Sequence, residues 1–148
     1  MSLLRRAGGR RSPALTPWAP LRRPLAECRL ALVASSVCAA PRGAGAGQGV
    51  TVGDPVWREV PGDAATDALR VAPPDADASA ANLDRNLAMA LDRLRDAVAD
   101  GRLGELDGRH LALGGVMAAT DRAVRGRSPV AVRSLVADRV DTALLVPT

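Results

Sequence analysis

The sequence predicts an α/β fold with a mostly parallel sheet. Two short apolar runs, residues 30–34 and 142–146, have the composition of strands that are covered on both faces. Stretches with helical spacing of apolar residues lie between them. The chain has 148 residues, of which 47 % are hydrophobic and 24 % charged, as in one globular domain.

Extended segments occupy the first half of the chain. Residues 30–34 predict a buried strand, and the glycine- and alanine-rich residues 41–53 predict a loop. Residues 56–61 and 68–72 predict two short extended pieces. The prolines at 73 and 74 end the second piece, because the residue before a proline is biased towards extended backbone.

Helical spacing dominates the second half. A helix is predicted from Asn86 to Gly101, with one apolar stripe made of Leu87, Leu91, Leu94 and Val98. A short apolar stretch follows at 111–116. Ser128 and Pro129 then predict a helix start, with serine as the N-cap and proline at the first helical position. The inward face of this helix is predicted to carry Val132, Leu135, Val136 and Val140.

This order of elements predicts a three-layer sandwich of the Rossmann- or flavodoxin-like kind. Residues 1–24 are expected to form an arginine- and proline-rich tail or extended lead-in. Residues 25–148 are expected to form the N-terminal part of a single α/β domain. The fold is predicted to be incomplete at its C-terminal end, because a buried parallel strand normally continues into a covering helix and 142–146 does not.

Composition excludes several functions. The chain has no lysine, isoleucine, phenylalanine or tyrosine, a pattern expected from GC-rich codons. Without lysine, Schiff-base chemistry and P-loop phosphate binding are excluded. One histidine and two cysteines argue against a closed zinc site, and the glycines of 43–49 do not form the G-x-G-x-x-G pattern of a dinucleotide site. We therefore expect no bound metal and no cofactor in this chain.

The net charge of +4 is distributed unevenly. Residues 1–30 contain seven arginines and one acid, whereas the rest of the chain has slightly more acids than arginines. Because a nucleic-acid interface is a basic face on a fold, we expect no nucleic-acid binding. A protein that binds nucleic acid or membrane surfaces through the arginine-rich residues 1–29 is nevertheless one alternative for the function.

No uncharged run is long enough to span a membrane, so no membrane association is expected. Residues 30–40 have the outline of a signal-peptide core and cleavage site, but 29 residues with four prolines precede them. We favour a buried strand and a cytoplasmic, reducing location.

Several segments resemble a known family. Residues 18–25 and 29–33 are similar to the W-x-P-L-x-x-P-L and R-hydrophobic-A-L-V opening of the glycine/sarcosine/betaine and D-proline reductase selenoprotein B family (component B). Residues 53–61 resemble its G-D-P-x-aromatic-R-x-hydrophobic-P segment. The remaining matches follow in family order: D-x-N and hydrophobic-D-R-L at 84–86 and 91–94, G-x-L-x-x-R-H at 104–110, and V-D-x-hydrophobic-L-L-x-P at 140–147.

The match covers about residues 16–148, with departures at three positions. Arg139 stands where the family often has glycine, and Leu111 and Leu113 stand where it has aromatic residues. The family places selenocysteine or cysteine directly after the last strand. The resemblance therefore implies a reactive residue following Thr148, encoded by a recoded UGA, with a true stop, a frameshift or a short paralogue as alternatives.

The resemblance implies reductive cleavage of the C–N bond of glycine, betaine, sarcosine or D-proline by a selenolate. A thioredoxin-like dithiol is the final electron donor, and other reductase components are the implied partners. The reactive selenocysteine or cysteine is absent from residues 1–148, so the chain by itself is expected to be inactive. A non-catalytic interaction subunit of the same fold is the alternative.

Three residues of the chain itself are candidate site residues. Cys38 would follow the first strand and could act as a resolving thiol, although a lone cysteine is more often a small buried hydrophobe. His110, the only histidine, could act as a general acid or, with Arg109, contact a substrate carboxylate. The simpler interpretation is a histidine hydrogen-bonded at a strand start. Cys28 precedes the first strand and is expected to be inert.

Overall fold

The computed structural model describes residues 19–34, 37–39, 56–72, 83–114 and 120–146. At 37–39, 56, 70–72, 113–114 and 120–127 it describes the backbone alone. The described elements form a mixed α/β fold with a five-stranded sheet, a two-stranded sheet and two α-helices. The predictions for residues 1–18, 41–53 and 147–148, which cover most of the tail and the whole loop, lie outside the described residues.

The strands and helices follow one another along the chain. They are β1 (Arg29–Ala34), β2 (Val37–Ala39), β3 (Val56–Pro61), β4 (Arg70–Ala72), α1 (Leu91–Ala99), β5 (Glu105–Leu106), β6 (Arg109–Gly114), α2 (Thr120–Ala137) and β7 (Thr142–Val146). Short 3₁₀ turns occupy Leu25–Glu27, Thr66–Ala68 and Arg85–Leu87. The strands predicted at 30–34, 56–61 and 142–146 are confirmed.

The central strand of the larger sheet is β1. It pairs in parallel with β5 and β6 on one side and with β7 on the other. The outer strand β3 runs antiparallel to β6, so the sheet is mixed. Because the other three strand pairings are parallel, the prediction of a mostly parallel sheet is confirmed. The smaller sheet pairs β2 with β4 in antiparallel register.

A bulge interrupts the strand formed by β5 and β6. Leu30 pairs with Leu106, whereas Val33 pairs with Leu111, so this strand has two more residues than β1 between these pairs. Extra residues of this kind leave ladder groups of the partner strand without a backbone partner. The bulge therefore determines which side chains must complete the hydrogen bonding of β1.

The hydrophobic core lies on one face of the sheet. It takes one residue from each of three strands: Leu32 of β1, Val60 of β3 and Ala112 of β6. Helix α1 covers them with Leu91, which is buried, and Leu94, which is half-buried. The buried members of this core are Leu32, Val60, Leu69, Ala88, Met89, Leu91 and Ala112.

The first helix begins later than its apolar spacing predicts. A 3₁₀ turn occupies Arg85–Leu87, where Asp84 accepts a hydrogen bond from the backbone N–H of Asn86 at 2.9 Å. The side chain of Asn86 accepts from the N–H of Asp92 at 3.1 Å and so satisfies a free donor in the first turn of α1. Leu87, predicted to lie on the buried stripe, is 56 % exposed.

The predicted start of the second helix is wrong. Pro129 lies inside α2, which begins upstream at Thr120. The missing N–H of a proline removes one backbone hydrogen bond, and the helix continues on both sides of it. The predicted inward face is also wrong, because Val132 and Val136 are exposed whereas Ala131 is buried.

Candidate functional site

The carboxyl ends of the parallel strands form the edge where ligands bind in open α/β sheets. Strand β1 ends there at Ala34 and β7 at Val146. Cys38 follows β1 within β2, and its backbone pairs with Val71. The side chain of Cys38 lies outside the described residues, as does the position after Thr148 where the resemblance implies the reactive residue.

His110 is buried in the core face of the sheet and replaces a backbone acceptor at the bulge. Its Nδ1 accepts a hydrogen bond from the N–H of Leu32 at 3.1 Å. The proton of the neutral ring is therefore on Nε2, which is buried without a partner among the described residues. Burial, together with the positive charge of Arg95, lowers the pKa of His110 to about 4.

This geometry bears on what His110 can do. A neutral imidazole that accepts at Nδ1 completes the hydrogen bonding of β1 opposite the bulge. This role agrees with the simpler interpretation of His110, a histidine hydrogen-bonded at a strand start. A general acid must carry a transferable proton at the working pH, and the low pKa keeps this ring neutral near pH 7. The catalytic role of His110 stays a prediction.

Arg109 lies at the amino end of β6, beside His110 in sequence. Adjacent strand residues point to opposite faces of a sheet, so the structure does not bring the two side chains together. Arg109 donates to both carboxylate oxygens of Asp138 at 2.5 and 2.7 Å and to Glu59 at 3.0 Å. The Asp138 hydrogen bond raises the pKa of Arg109, and the same bond lowers the pKa of the Asp138 carboxyl.

These ion pairs connect the end of α2 to the sheet. A substrate carboxylate would have to displace Asp138 or Glu59 from the guanidinium of Arg109. The predicted contact with a substrate therefore stays a prediction, and the described geometry gives Arg109 two internal partners.

A second ion-pair group continues along the amino edge of the sheet. Arg29, the first residue of β1, donates to Glu105 at 2.7 Å and to the backbone oxygen of Asp138 at 2.8 Å. The hydrogen bond that Arg29 donates to Glu105 raises the pKa of Arg29. Asp141, before β7, accepts from the N–H of Arg29 at 2.9 Å and lies 3.5 Å from Arg23. These contacts align the starts of β1, β5 and β7.

Asp92, in the first turn of α1, has hydrogen-bond partners in two other segments as well as in its own helix. Asp92 accepts from Thr66 at 2.6 Å, from Asn86 at 3.1 Å and from Arg95 at 3.0 Å. The Thr66 hydrogen bond, more than the others, lowers the pKa of Asp92. The only sequence signal for this cluster is an acid in the first turn of a helix, and it cannot reveal Thr66, which lies 26 residues upstream.

Arg95 completes this cluster. It donates to the backbone oxygens of Gly62 and Ala64 at 3.0 and 2.6 Å, and to Thr66 at 3.2 Å. The cluster therefore joins α1 to the turn that follows β3. Because the polar groups of these side chains find their hydrogen-bond partners within the cluster, it acts as a structural connection.

Cys28 is fully buried and its thiol donates to the backbone oxygens of Arg23 and Pro24 at 3.6 and 3.4 Å. Within the described ranges, no group of three or more histidine, cysteine, aspartate or glutamate side chains is arranged to hold a metal ion. The helices described here include none that is long and apolar enough to cross a membrane.

The comparisons with known proteins identify no relative. No protein-family model matches the chain, and neither a curated protein nor a solved structure matches it.

Proposed function

We propose that this chain is a fragment or degenerate member of the component B family of glycine/sarcosine/betaine and D-proline reductases. One observation carries the proposal: the segments that resemble the family coincide with neighbouring strands of one sheet. Residues 29–33 lie in β1, 56–61 form β3, 104–110 span the bulge, and 142–146 form β7.

The three-layer arrangement is part of this proposal. From β1 the chain passes through β2, β3 and β4 before α1 leads to β5 and β6 on one side of β1, and from β6 it crosses through α2 to β7 on the other side. The proposal places α1 and α2 on opposite faces of the sheet. Side-chain contacts support this: Leu91 and Leu94 of α1 pack in the core cluster with Ala112 of β6, whereas Asp138 after α2 binds Arg109, whose side chain points to the other face.

Under this proposal, the chemistry takes place at the carboxyl edge of β1, β6 and β7. A selenolate or thiolate placed after β7 would attack the α-carbon of a small amino acid or betaine. The carbon–nitrogen bond breaks as the new bond to selenium or sulfur forms, and the amine leaves. A thioredoxin-like dithiol then supplies two electrons and a proton that cleave the carbon–selenium or carbon–sulfur bond. This releases the deaminated acid, regenerates the selenolate or thiolate and leaves the donor as a disulfide. A selenol suits the task because more of it is ionised at neutral pH than of an ordinary thiol.

The second candidate is an interaction subunit without catalytic activity. The apolar side chains exposed on α2 and β7 favour it, because large apolar side chains exposed on a protein surface can mark a protein interface. Leu145 is 69 % exposed and Val136 is 68 % exposed. The same set also includes Val130, Val132 and Leu144.

The test is the nucleotide sequence after codon 148. We expect an in-frame TGA, codons for Pro-x-Cys and a long open frame, with a hairpin suitable for recoding. The extended protein should then release an amine from one of the four substrates in the presence of a dithiol. Its variant with serine at the reactive position should not.

A TAA or TAG codon without a homologous continuation would contradict the reductase proposal. It would favour the interaction subunit, and residues 1–148 would then be expected to express in soluble form and to purify with a full-length partner.

A further inference from the structure

The outer edge of β7 is an open side of the larger sheet. Among the described strands, β7 pairs with β1 alone, and in parallel. Leu144 is 39 % exposed, and Leu145, which points to the opposite face, is 69 % exposed. A helix that docked here would cover one face only, whereas an added strand would cover both. The exposure on both faces therefore favours a strand as the occupant of this edge.

The backbone groups that face outwards are those of Ala143 and Leu145. The N–H of Leu32 points towards β6, where His110 accepts it, so Leu32 is directed away from β7. In a parallel ladder, one residue of each Cα pair points its N–H and C=O towards the partner strand, and neighbours along a strand alternate. Leu144, which is paired with Leu32, therefore points towards β1. Ala143 and Leu145 then point away from β1.

The five residues of β7 lack the features that usually prevent an edge strand from pairing. Natural edge strands are commonly protected by charged residues, prolines or bulges. Residues Thr142–Val146 are uncharged, include no proline and lie in continuous register with β1. The carboxylate that precedes them, Asp141, is directed to β1, where it accepts from the N–H of Arg29 at 2.9 Å. The strand is therefore able to accept another strand at its outer edge.

We propose that the occupant is β7 of a second copy of this chain, paired antiparallel about a two-fold axis at Leu144. A two-fold axis lets the same surface serve both copies and closes the assembly at a dimer. In this register Ala143 lies opposite the partner's Leu145, and Thr142 lies opposite the partner's Val146. A small residue thus meets a large one on one face, and two β-branched residues meet on the other, as suits cross-strand pairs.

Backbone groups select this register. Pairing about Leu144 places Ala143 and Leu145 opposite each other in both directions, and each such pair exchanges two N–H···O bonds. Pairing about Ala143 would require the N–H of Asp141, which already donates within the chain at 2.9 Å. Pairing about Leu145 would place Ala143 opposite the proline that follows β7, which has no N–H. Of these registers, only the one about Leu144 uses every outward group of β7.

The wild-type chain should show a dimer that dissociates on dilution. Two paired strands of five residues bury less than the roughly 1,200–2,000 Å² of a standard stable interface. Sedimentation velocity over a wide range of concentration measures this equilibrium, and we expect dimers at the high end and monomers at the low end.

The first test of the register uses its closest contact. Opposite residues that do not exchange hydrogen bonds have Cα atoms about 4.5 Å apart, which a disulfide can span. Leu144→Cys, in a chain that also carries Cys38→Ser, should therefore cross-link to its own copy under mild oxidation. Leu145→Cys in the same background is the matched control. Position 145 is more exposed but lies diagonally from its copy, about 7–8 Å away, and should cross-link about tenfold more slowly.

The second test removes one outward donor. Ala143→Pro lacks the N–H that the register requires, and proline is tolerated in an edge strand where the N–H would face solvent. The variant should keep the circular dichroism spectrum of the wild type and remain monomeric at every concentration. Ala143→Ser, which keeps the N–H, should dimerise like the wild type.

Three results would each overturn the proposal. The wild-type chain could stay monomeric at every concentration, which would leave this edge to another molecule or to none. Leu145→Cys could cross-link as fast as Leu144→Cys, or a folded Ala143→Pro could dimerise like Ala143→Ser. The cross-linking comparison decides the matter even where the proline variant fails to fold. None of these measurements depends on the reductase proposal, because they use only the geometry of β7.

Discussion

At the scale of single residues, His110 shows how a polar side chain becomes part of a backbone ladder. The bulge before β6 leaves the N–H of Leu32 without a strand partner, and the imidazole supplies the acceptor. A buried amide without an acceptor costs about 1–3 kcal/mol, so the ring stabilises the fold mainly by preventing that loss.

The first prediction distinguishes the stabilising effect of the hydrogen-bond acceptor of His110 from the effect of the volume of its ring. His110→Leu fills similar space but leaves the N–H of Leu32 unsatisfied, and we expect a loss of about 2 kcal/mol in the free energy of unfolding. His110→Asn places an oxygen near the position of Nδ1 and should lose less. Urea denaturation measures both variants, and equal stability of the leucine variant and the wild type would contradict the assignment.

The second prediction concerns pH. The folded pKa of about 4 lies below the unfolded value of 6.5. Above pH 6.5 the ring is neutral in both states and its contribution is fully present. As the pH falls towards 4, only the unfolded chain takes up the proton, and up to about 3 kcal/mol of stability is lost.

Unfolding at pH 7 and pH 4.5, compared between the wild type and His110→Asn, measures this effect. The asparagine variant lacks the titrating group and should lose less stability on acidification. Parallel losses in the two proteins would show that other groups cause the pH dependence.

At the scale of elements, α1 is held by polar contacts as well as by its apolar face. Arg95 joins it to the turn after β3 through Gly62, Ala64 and Thr66. These bonds span about thirty residues of sequence, so they cross-link two elements that the local pattern does not connect.

The third prediction tests that connection. Arg95→Lys keeps the charge but cannot reproduce the fork of donors, and we expect a loss of about 1–2 kcal/mol in the free energy of unfolding. Arg93→Lys, at an exposed position of the same helix, is the matched control and should change it by less than about 0.5 kcal/mol. Similar effects of the two substitutions would contradict a specific role for Arg95.

The fourth prediction concerns the exit of α2. Arg139 has φ of 60°, in the left-handed region that costs a residue with a side chain about 1 kcal/mol. Arg139→Gly should therefore raise the thermal midpoint, partly offset by the greater freedom of glycine in the unfolded chain. Arg133→Gly, within α2, should lower it. A lower midpoint for Arg139→Gly would mean that the arginine side chain stabilises this turn.

At the scale of the whole molecule, burial is uneven across the sheet. Strand β1 is central and mostly buried, whereas β7 pairs with β1 on one side and exposes Leu144 and Leu145. An exposed apolar edge strand favours association with other chains.

The fifth prediction follows from this difference. Leu145→Thr should reduce self-association, measured by light scattering, while changing the free energy of unfolding by less than about 0.5 kcal/mol. Leu32→Ala, in the core, should cost about 2–5 kcal/mol. Unchanged association of Leu145→Thr would mean that this part of β7 does not contribute to contacts between molecules.

The sequence alone predicted the elements whose signal is local. The apolar run at β1 and the extended segment at β3 are confirmed, because strand composition depends on neighbours along the chain. The start of α2 was mispredicted, because the serine–proline pair typical of a helix start also occurs inside a helix. For the candidate site, the sequence pointed to Arg109 and His110 but could not indicate their distant partners, Asp138 and the N–H of Leu32.

Composition and periodicity determined the α/β class, the central strand and the exclusion of lysine-dependent chemistry. Only the tertiary structure decided what the polar residues do. The bulge gives His110 its backbone partner, and the end of α2 gives Arg109 its carboxylate. Hydrogen-bond partners depend on distance in space, and the spacing of residues along a chain carries little information about that distance.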